Sequence, residues 1–250
     1  MASLSASERL EWLVSLAESL GSALRSGAHS APPRELAEVA RGCRLSLVDA
    51  VERQLGPFDP RLLDALLEVP RERFVRPEDL ARSAEDVPLA LDIDGLATIS
   101  APHAYLLSFR LLRLTEGDIV VELGAGTGYG AALAAFVVGA SGHVTTFEID
   151  PNLARLARRL LSDLPGVAVV EGDAMESAPR WEGAKKIVAT FAVDTIPPAW
   201  IEKIPEGGAL VAPVGGEEGD QHLWLAERRR GKVALSKHGA VRYVKNRSKL

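Results

Sequence analysis

Ile119 to Gly130 reads IVVELGAGTGYG, and this stretch decides the fold. Ile119, Val120 and Val121 are a β-branched run of the kind that forms a strand buried on both faces of a parallel sheet. Glu122 puts a carboxylate at the strand's carboxyl end, Gly124, Gly126 and Gly128 follow at alternate positions, and AALAAFVV opens a helix. A strand, a glycine-rich turn and a helix make a nucleotide-binding element. Glycine lets the chain turn tightly and lets a ligand come close to main-chain N–H groups. The ligand then lies over the strand end, where open α/β sheets bind theirs. The bland alternative is a structural turn with a chance run of glycines.

Beyond the helix, HVTTFE (His143–Glu148) is the second strand, and Glu148 closes it 20 residues after Gly128, where an acid accepts ribose hydroxyls. Asp150-Pro151 begins a basic amphipathic helix whose arginines read as a solvated face. Val167–Val170 is the third strand, followed by EGDA, and Asp173 is placed to meet an adenine amino group. Each acid alone is ordinary. Glu122, Glu148 and Asp173 at three successive strand ends are not. Ile187–Thr190 is the fourth strand and leads into FAVDTIPPAWIEKI, and ALVAPVG supplies the fifth. Gln221–Ala226 and Val233–Lys237 read as an antiparallel pair around ERRRGK, a charged hairpin tip, and the tail returns to the core through Val241 and Val244.

Upstream, Ser5 or Ser7 caps a helix with Leu10, Leu13, Leu16 and Leu20 at helical spacing, and Gly21–Pro33 reads as a linker. A second helix is expected from Pro33 through Ala40 and a third from Leu45 to Leu55, stopped by Gly56-Pro57. Residues 1–42 thus form a separable helical extension to a main domain of residues 43–250. Asp59-Pro60 is an N-cap with proline at the first helical position, for a helix over Arg61–Val69. In VPRERFV, Arg71, Glu72 and Arg73 read as a solvated turn anchored by Phe74 and Val75. LATISAPH (Leu96–His103) precedes an apolar helix over Ala104–Leu114; its Ser100 reads equally as a helix cap or a functional hydroxyl, and His103 as a surface residue.

The chain has 250 residues, a length that suits one α/β domain with additions, and 47% hydrophobic residues can fill a core. A net charge of −5 argues against a general nucleic-acid surface. Cys43 is the only cysteine, so neither an internal disulfide nor a cysteine zinc cluster can form. No basic-then-apolar leader and no membrane-length apolar run is evident, so a cytoplasmic protein without membrane partners is expected.

Two ligands suit the glycine turn. GTGYGA fits the relaxed dinucleotide pattern G-x-G-x-x-A. E-x-G-x-G-x-G resembles motif I of S-adenosylmethionine (AdoMet)-dependent methyltransferases of the Rossmann-like class. AdoMet needs no pyrophosphate cradle, and its cationic amino and sulfonium groups suit a nearby carboxylate.

Over residues 45–245 the chain resembles protein-L-isoaspartate O-methyltransferases: LLEVPRERFV, a pre-motif segment ending TISAPH, VVELGAGTGYGAALAA, FEID, VEGDA, IVATFAVDTIPPAW, GGALVAPVG and VRYV stand in family order. The resemblance implies a doubly wound, mostly parallel, seven-stranded α/β sheet of the Rossmann-like methyltransferase kind with an antiparallel C-terminal strand pair. It implies methyl transfer from AdoMet to the free carboxylate of an isoaspartyl residue in a protein or peptide, by a monomer that needs no metal. Ser100 matches the family's active-site serine. Glu122, Gly124, Ala125, Gly126, Thr127 and Gly128 match the methionine-side loop, Glu148 and Ile149 the ribose side, and Gly172, Asp173 and Ala174 the adenine side. Thr98, Ile99 and His103, then Thr190, Phe191 and Ala192, then Val241 and Tyr243, are the implied substrate side. The chain departs from the family pattern at Asp92 and Asp94, at Lys185-Lys186, in FAVDT and in the ending KNRSKL, which points to a narrowed substrate range. Two alternatives stand beside this reading: a specialised methyltransferase for a modified biosynthetic peptide, and a non-enzymatic AdoMet-binding protein that docks a partner through residues 1–42.

Overall fold

The computed structural model describes residues 34–92, 95–176, 181, 183–216 and 220–247. The expected N-terminal helix, the linker after it and Asp94 lie outside the described residues.

The first described element, helix α1 (Arg34–Leu55), is one continuous helix where two were expected. Ala40, Arg44, Leu47 and Val51 fall at helical spacing and are all buried. That stripe outweighs the roughly 1 kcal/mol that Gly42 costs mid-helix, and the expected junction at residues 42–43 falls inside the helix. Helix α1 packs on α2 (Pro60–Glu68), whose N-cap Asp59 accepts from the Arg61 N–H as its sequence foretold.

Among the described residues nine strands follow: β1 (Leu89–Ala90), β2 (Thr98–Ile99), β3 (Ile119–Leu123), β4 (His143–Glu148), β5 (Val167–Glu171), β6 (Lys186–Ala189), β7 (Ala209–Val214), β8 (Gln221–Arg229) and β9 (Lys232–Val241). Strands β1 and β2 form a small antiparallel pair. The other seven make one sheet in the order β5-β4-β3-β6-β7-β8-β9, parallel from β5 to β7 and antiparallel at β8 and β9. This is the α/β architecture expected from the sequence.

Side chains alternate through the sheet. Val120, Val144 and Val188 join one core with α3 (Pro102–Leu112), α4 (Tyr129–Val138) and α5 (Pro151–Leu160). Val121, Phe147 and Ile187 join a second core with Trp181 and with Trp200 of α6 (Pro198–Lys203). Connections leave β3 and β4 on the first face and β6 on the second. The order therefore reverses at β3, which opens a crevice over its carboxyl end. Among the described residues no helix is long and apolar enough to cross a membrane.

The expected charged hairpin tip is more ordered than a solvated run. Arg228 donates to the Ile201 and Ile204 carbonyls at the end of α6, 2.8 and 2.5 Å away. It satisfies carbonyls that a helix end leaves without partners.

Candidate active site

The crevice holds an open cleft of about 570 Å³. Its floor is the glycine loop at Gly124 and Gly126, and Phe147, Glu148 and Ile149 at the end of β4 form one side. Gly172, Asp173 and Ala174 follow β5, and Thr190 and Phe191 follow β6. Leu96, Ala97 and Thr98 close it from the β2 side, and Val244–Arg247 from the tail.

The glycine loop works differently from the expectation. The N–H groups of Gly124, Ala125 and Gly126 already have protein partners. Those of Gly124 and Ala125 donate to the Phe147 carbonyl at 2.9 and 2.8 Å, and that of Gly126 donates to Glu148 Oε2 at 2.7 Å. The loop is thereby tied down onto the end of β4. Close approach is still required at Gly124, where φ is +98° and an added Cβ would stand 2.4 Å from Thr190 Oγ1. The Thr190 hydroxyl donates to the Gly124 and Leu123 carbonyls, joining the ends of β3 and β6.

Glu122 lies behind the loop and does not line the cleft. It is 1% exposed, accepts from the Thr146 hydroxyl at 2.6 Å, and faces the backbone of Gly130, where a Cβ would stand 2.0 Å from Glu122 Oε1. Burial pushes its carboxyl up to about 8, against the Thr146 hydrogen bond and with the charge of Glu148 adding to the rise. Ala125, Thr127 and Gly128 are likewise outside the lining: Ala125 and Thr127 are buried, and Gly128 abuts Leu161. Glu148 does reach the cleft, its Oε1 accepting from the Asp150 N–H at 3.0 Å. Burial raises its pKa, opposed by these two backbone N–H groups and by the charge of Arg247.

The substrate-side expectations divide. Thr98, Thr190 and Phe191 line the cleft, and the Phe191 ring is braced edge-on against buried Trp200 at 6.0 Å. Ile99 is buried in the core, and Ala192 is fully buried with its backbone paired to the tail. Val241 and Tyr243 pack against the core, and none of these four is in the lining. His103 is not a free surface residue. Its N–H and its ring Nδ1 meet the two oxygens of Asp86 at 3.0 and 2.8 Å. Burial acts to raise the Asp86 carboxyl, but the His103 bonds and the Arg71 charge hold it below its usual value. Asp86 thus anchors the first turn of α3, a role its sequence context did not signal.

Ser100 is buried, and it is not the helix cap: Ala101 holds that position with no side-chain cap. Its N–H instead donates to the Tyr105 hydroxyl at 3.3 Å. Burial, aided by the charge of Glu122, pushes Tyr105 up to about 12, so the phenol stays neutral. The Ser100 carbonyl accepts from Arg71 at 3.1 Å.

Arg71 overturns the solvated-turn expectation. It is 1% exposed, and its guanidinium donates to four carbonyls: Ser83 at 3.2 Å, Glu85 at 2.9 Å, Val87 at 2.8 Å and Ser100. Burial lowers its pKa, opposed by Tyr129, Tyr105 and Asp86; an arginine nonetheless stays charged. Its neighbours are equally committed. Glu72 pairs with the buried guanidinium of Arg44, which also donates to the Leu67 carbonyl at 2.6 Å, and Arg73 bridges to Asp163. Residues with this charge read as surface when taken in order; only the three-dimensional paths of residues 83–87 and 100 show what Arg71 serves.

Comparison with known proteins identifies the chain's family. The family model described as protein-L-isoaspartate(D-aspartate) O-methyltransferase matches residues 46–250. A protein-L-isoaspartate O-methyltransferase of Methanopyrus kandleri is 37% identical over 212 residues, 83% of this chain and 92% of that protein. One from Methanosarcina mazei is 34% identical over 84% of this chain and 86% of its own length. A solved structure titled protein-L-isoaspartate O-methyltransferase superposes with a TM-score of 0.73 at 27% identity, over 81% of this chain and 65% of that longer one.

Replacing Arg71 by methionine leaves buried carbonyls unpaired and should cost about 3 kcal/mol or more. Arg71→Lys has only three donors for four acceptors and should recover part of that. Urea melts and hydrogen exchange check this, with lost protection expected first over residues 83–87 and 98–100. For Glu122 the sign follows from its raised pKa: the folded state holds a proton that the unfolded chain releases near 4.5. Stability should therefore fall as pH rises from about 4.5 to about 8. Glu122→Gln, neutral throughout, should flatten that decline in pH-dependent melts and be the more stable protein above pH ~8.

Proposed function

We propose that the cleft over β3 to β6 is the methyl-transfer site of an enzyme, because the chain belongs to the protein-L-isoaspartate(D-aspartate) O-methyltransferase family. The reaction moves a methyl group from AdoMet to the free carboxylate of an L-isoaspartyl residue, and the resulting ester closes to a succinimide. The observation that carries the reading is the cleft's two-ended chemistry. One end offers the carboxylates of Glu148 and Asp173 with apolar Ile149 and Leu153 beside them. That set suits ribose hydroxyls, an exocyclic amine and a flat base. The other end offers the hydroxyl-bearing Thr98 and Thr190 and the ring of Phe191.

The donor, when bound, supplies an electrophilic methyl group on a sulfonium. The chain's own task is to orient and desolvate. A carboxylate is already ionised near neutral pH, so no residue need remove a proton. Along the extended segment Thr98–Ser100, alternate residues share a side. Ile99 enters the core while Thr98 lines the cleft, and this alternation puts Ser100, itself buried and outside the lining, on the same side as Thr98. Its hydroxyl holds one carboxylate oxygen and leaves the other to attack in line. Arg71 and Tyr105 fix the Ser100 main chain, and Phe191 helps to exclude water. Glu122 acts at second hand, setting the loop from behind.

In this reading the methyltransferase domain begins within α1, near residue 43, and works as a cytoplasmic monomer on protein or peptide, without nucleic-acid or membrane partners. The net charge of −5 supports the absence of a general nucleic-acid surface.

Ser100→Ala should lower turnover on an isoaspartyl peptide by one to a few powers of ten, with unchanged affinity for S-adenosylhomocysteine. Glu148→Ala should weaken that affinity roughly tenfold or more, the worth of a hydrogen bond to a charged group. A folded Ser100→Ala enzyme that methylates at the parent rate would remove the serine from the mechanism.

A further inference from the structure

The tail beyond β9 does not end at the sheet edge. The side-chain amide of Gln221 pairs with both the N–H and the carbonyl of Tyr243, at 2.7 and 3.1 Å, and turns the chain inward. Ala192 then donates to the Val244 carbonyl at 2.7 Å, and Asn246 donates back to Ala192 at 3.0 Å. These bonds lay the tail beside the loop after β6, where Val244–Arg247 line the cleft.

Charged residues fasten it there. Arg247 is four-fifths buried, and its guanidinium lies 2.5 Å from Asp92 and 3.4 Å from Asp150, while its Nε donates to the Leu96 carbonyl at 3.3 Å. Lys245 pairs with Asp194. In space these charges are matched in pairs, Asp92 with Arg247 and Asp194 with Lys245. The second oxygen of Asp92 is buried without a hydrogen bond, so that carboxylate leans on Arg247. Asp150 is the N-cap of α5, and its N–H donates to Glu148. Arg247 therefore touches the chain on both sides of the cleft mouth and, through Asp150, the carboxylate at the cofactor end.

We propose that Arg247 is a positioning residue for the cofactor: by bridging Asp92 and Asp150 it fixes the C-terminal tail as the outer wall of the cleft and steadies Glu148. This rests on the reading of the cleft as the AdoMet site. Burial and the nearby Asp150 charge raise the Glu148 carboxyl, and the Arg247 charge acts against them.

The test uses the full chain with S-adenosylhomocysteine as probe, by calorimetry and stopped-flow displacement. Arg247→Ala should bind about tenfold more weakly, mainly through faster dissociation, as expected when a mostly buried charge pair loses one member. Arg247→Lys should restore part of the loss, since one ammonium cannot serve both acids in the guanidinium's fork. Adding Asp92→Ala to Arg247→Ala should cost little more, because the two side chains act as a unit. A parent protein that binds no S-adenosylhomocysteine would remove the reading of the cleft itself. A parent that binds, beside an Arg247→Ala protein with the same affinity and dissociation rate, would overturn this proposal alone. So would an Arg247→Lys protein no better than Arg247→Ala.

Discussion

The wall of the cleft around Ser100 depends on one buried cation. Arg71 sits beneath β1 and β2 and donates to the carbonyls of Ser83, Glu85, Val87 and Ser100. These groups belong to a stretch with little regular structure of its own, and buried carbonyls need partners as much as those of a helix do. A guanidinium is suited to the task because it offers five donors in a rigid plane. Asp86 extends the same device, for its carboxylate meets His103 and feels the Arg71 charge. The serine loop and the start of α3 are thus set by charges facing backbone, beside the short β1–β2 pairing.

The cofactor side is built on a different constraint, the close approach of backbones at the reversal of strand order. The end of β3 must pass between β4 and β6 and turn at once into α4. Gly124 and Gly130 allow this, the first beside Thr190 and the second against Glu122. Glu122 is therefore better understood as a buried strut, protonated over much of the neutral range, than as a ligand group. Glu148 lines the cleft, and its two oxygens also hold the loop and the start of α5 in place.

Much of this was legible in the sequence. The sheet's strands, the caps at Asp59 and Asp150, and the acids that ring the crevice follow from periodicity, from local turn chemistry and from a fixed spacing after the glycines. Those signals are local, so a linear reading finds them. What a linear reading missed is long-range. Arg71, Arg44 and Arg228 look like surface charge because their partners are carbonyls or acids 12 to 29 residues away in the chain, and carbonyls leave no mark in a sequence. The orientation of Glu122 was missed because a strand-end acid can face the cleft or the helix behind it, and Gly130 is what decides. The tail's place on the cleft depends on Gln221 and Ala192, and its ion pairs join positions up to 155 residues apart.

The family resemblance made Ser100 the natural centre of the chemistry, and the structure removes the competing helix-cap role. Carboxyl methylation selective for the isoaspartyl linkage is the central claim, and the most direct measurement is methyl transfer from labelled AdoMet to matched peptides that differ only in an isoaspartyl or an aspartyl residue. The account predicts a base-labile methyl ester on the isoaspartyl peptide, followed by succinimide, and little or none on its aspartyl twin. Equal labelling of both peptides, or labelling of neither by a protein that binds S-adenosylhomocysteine, would contradict it.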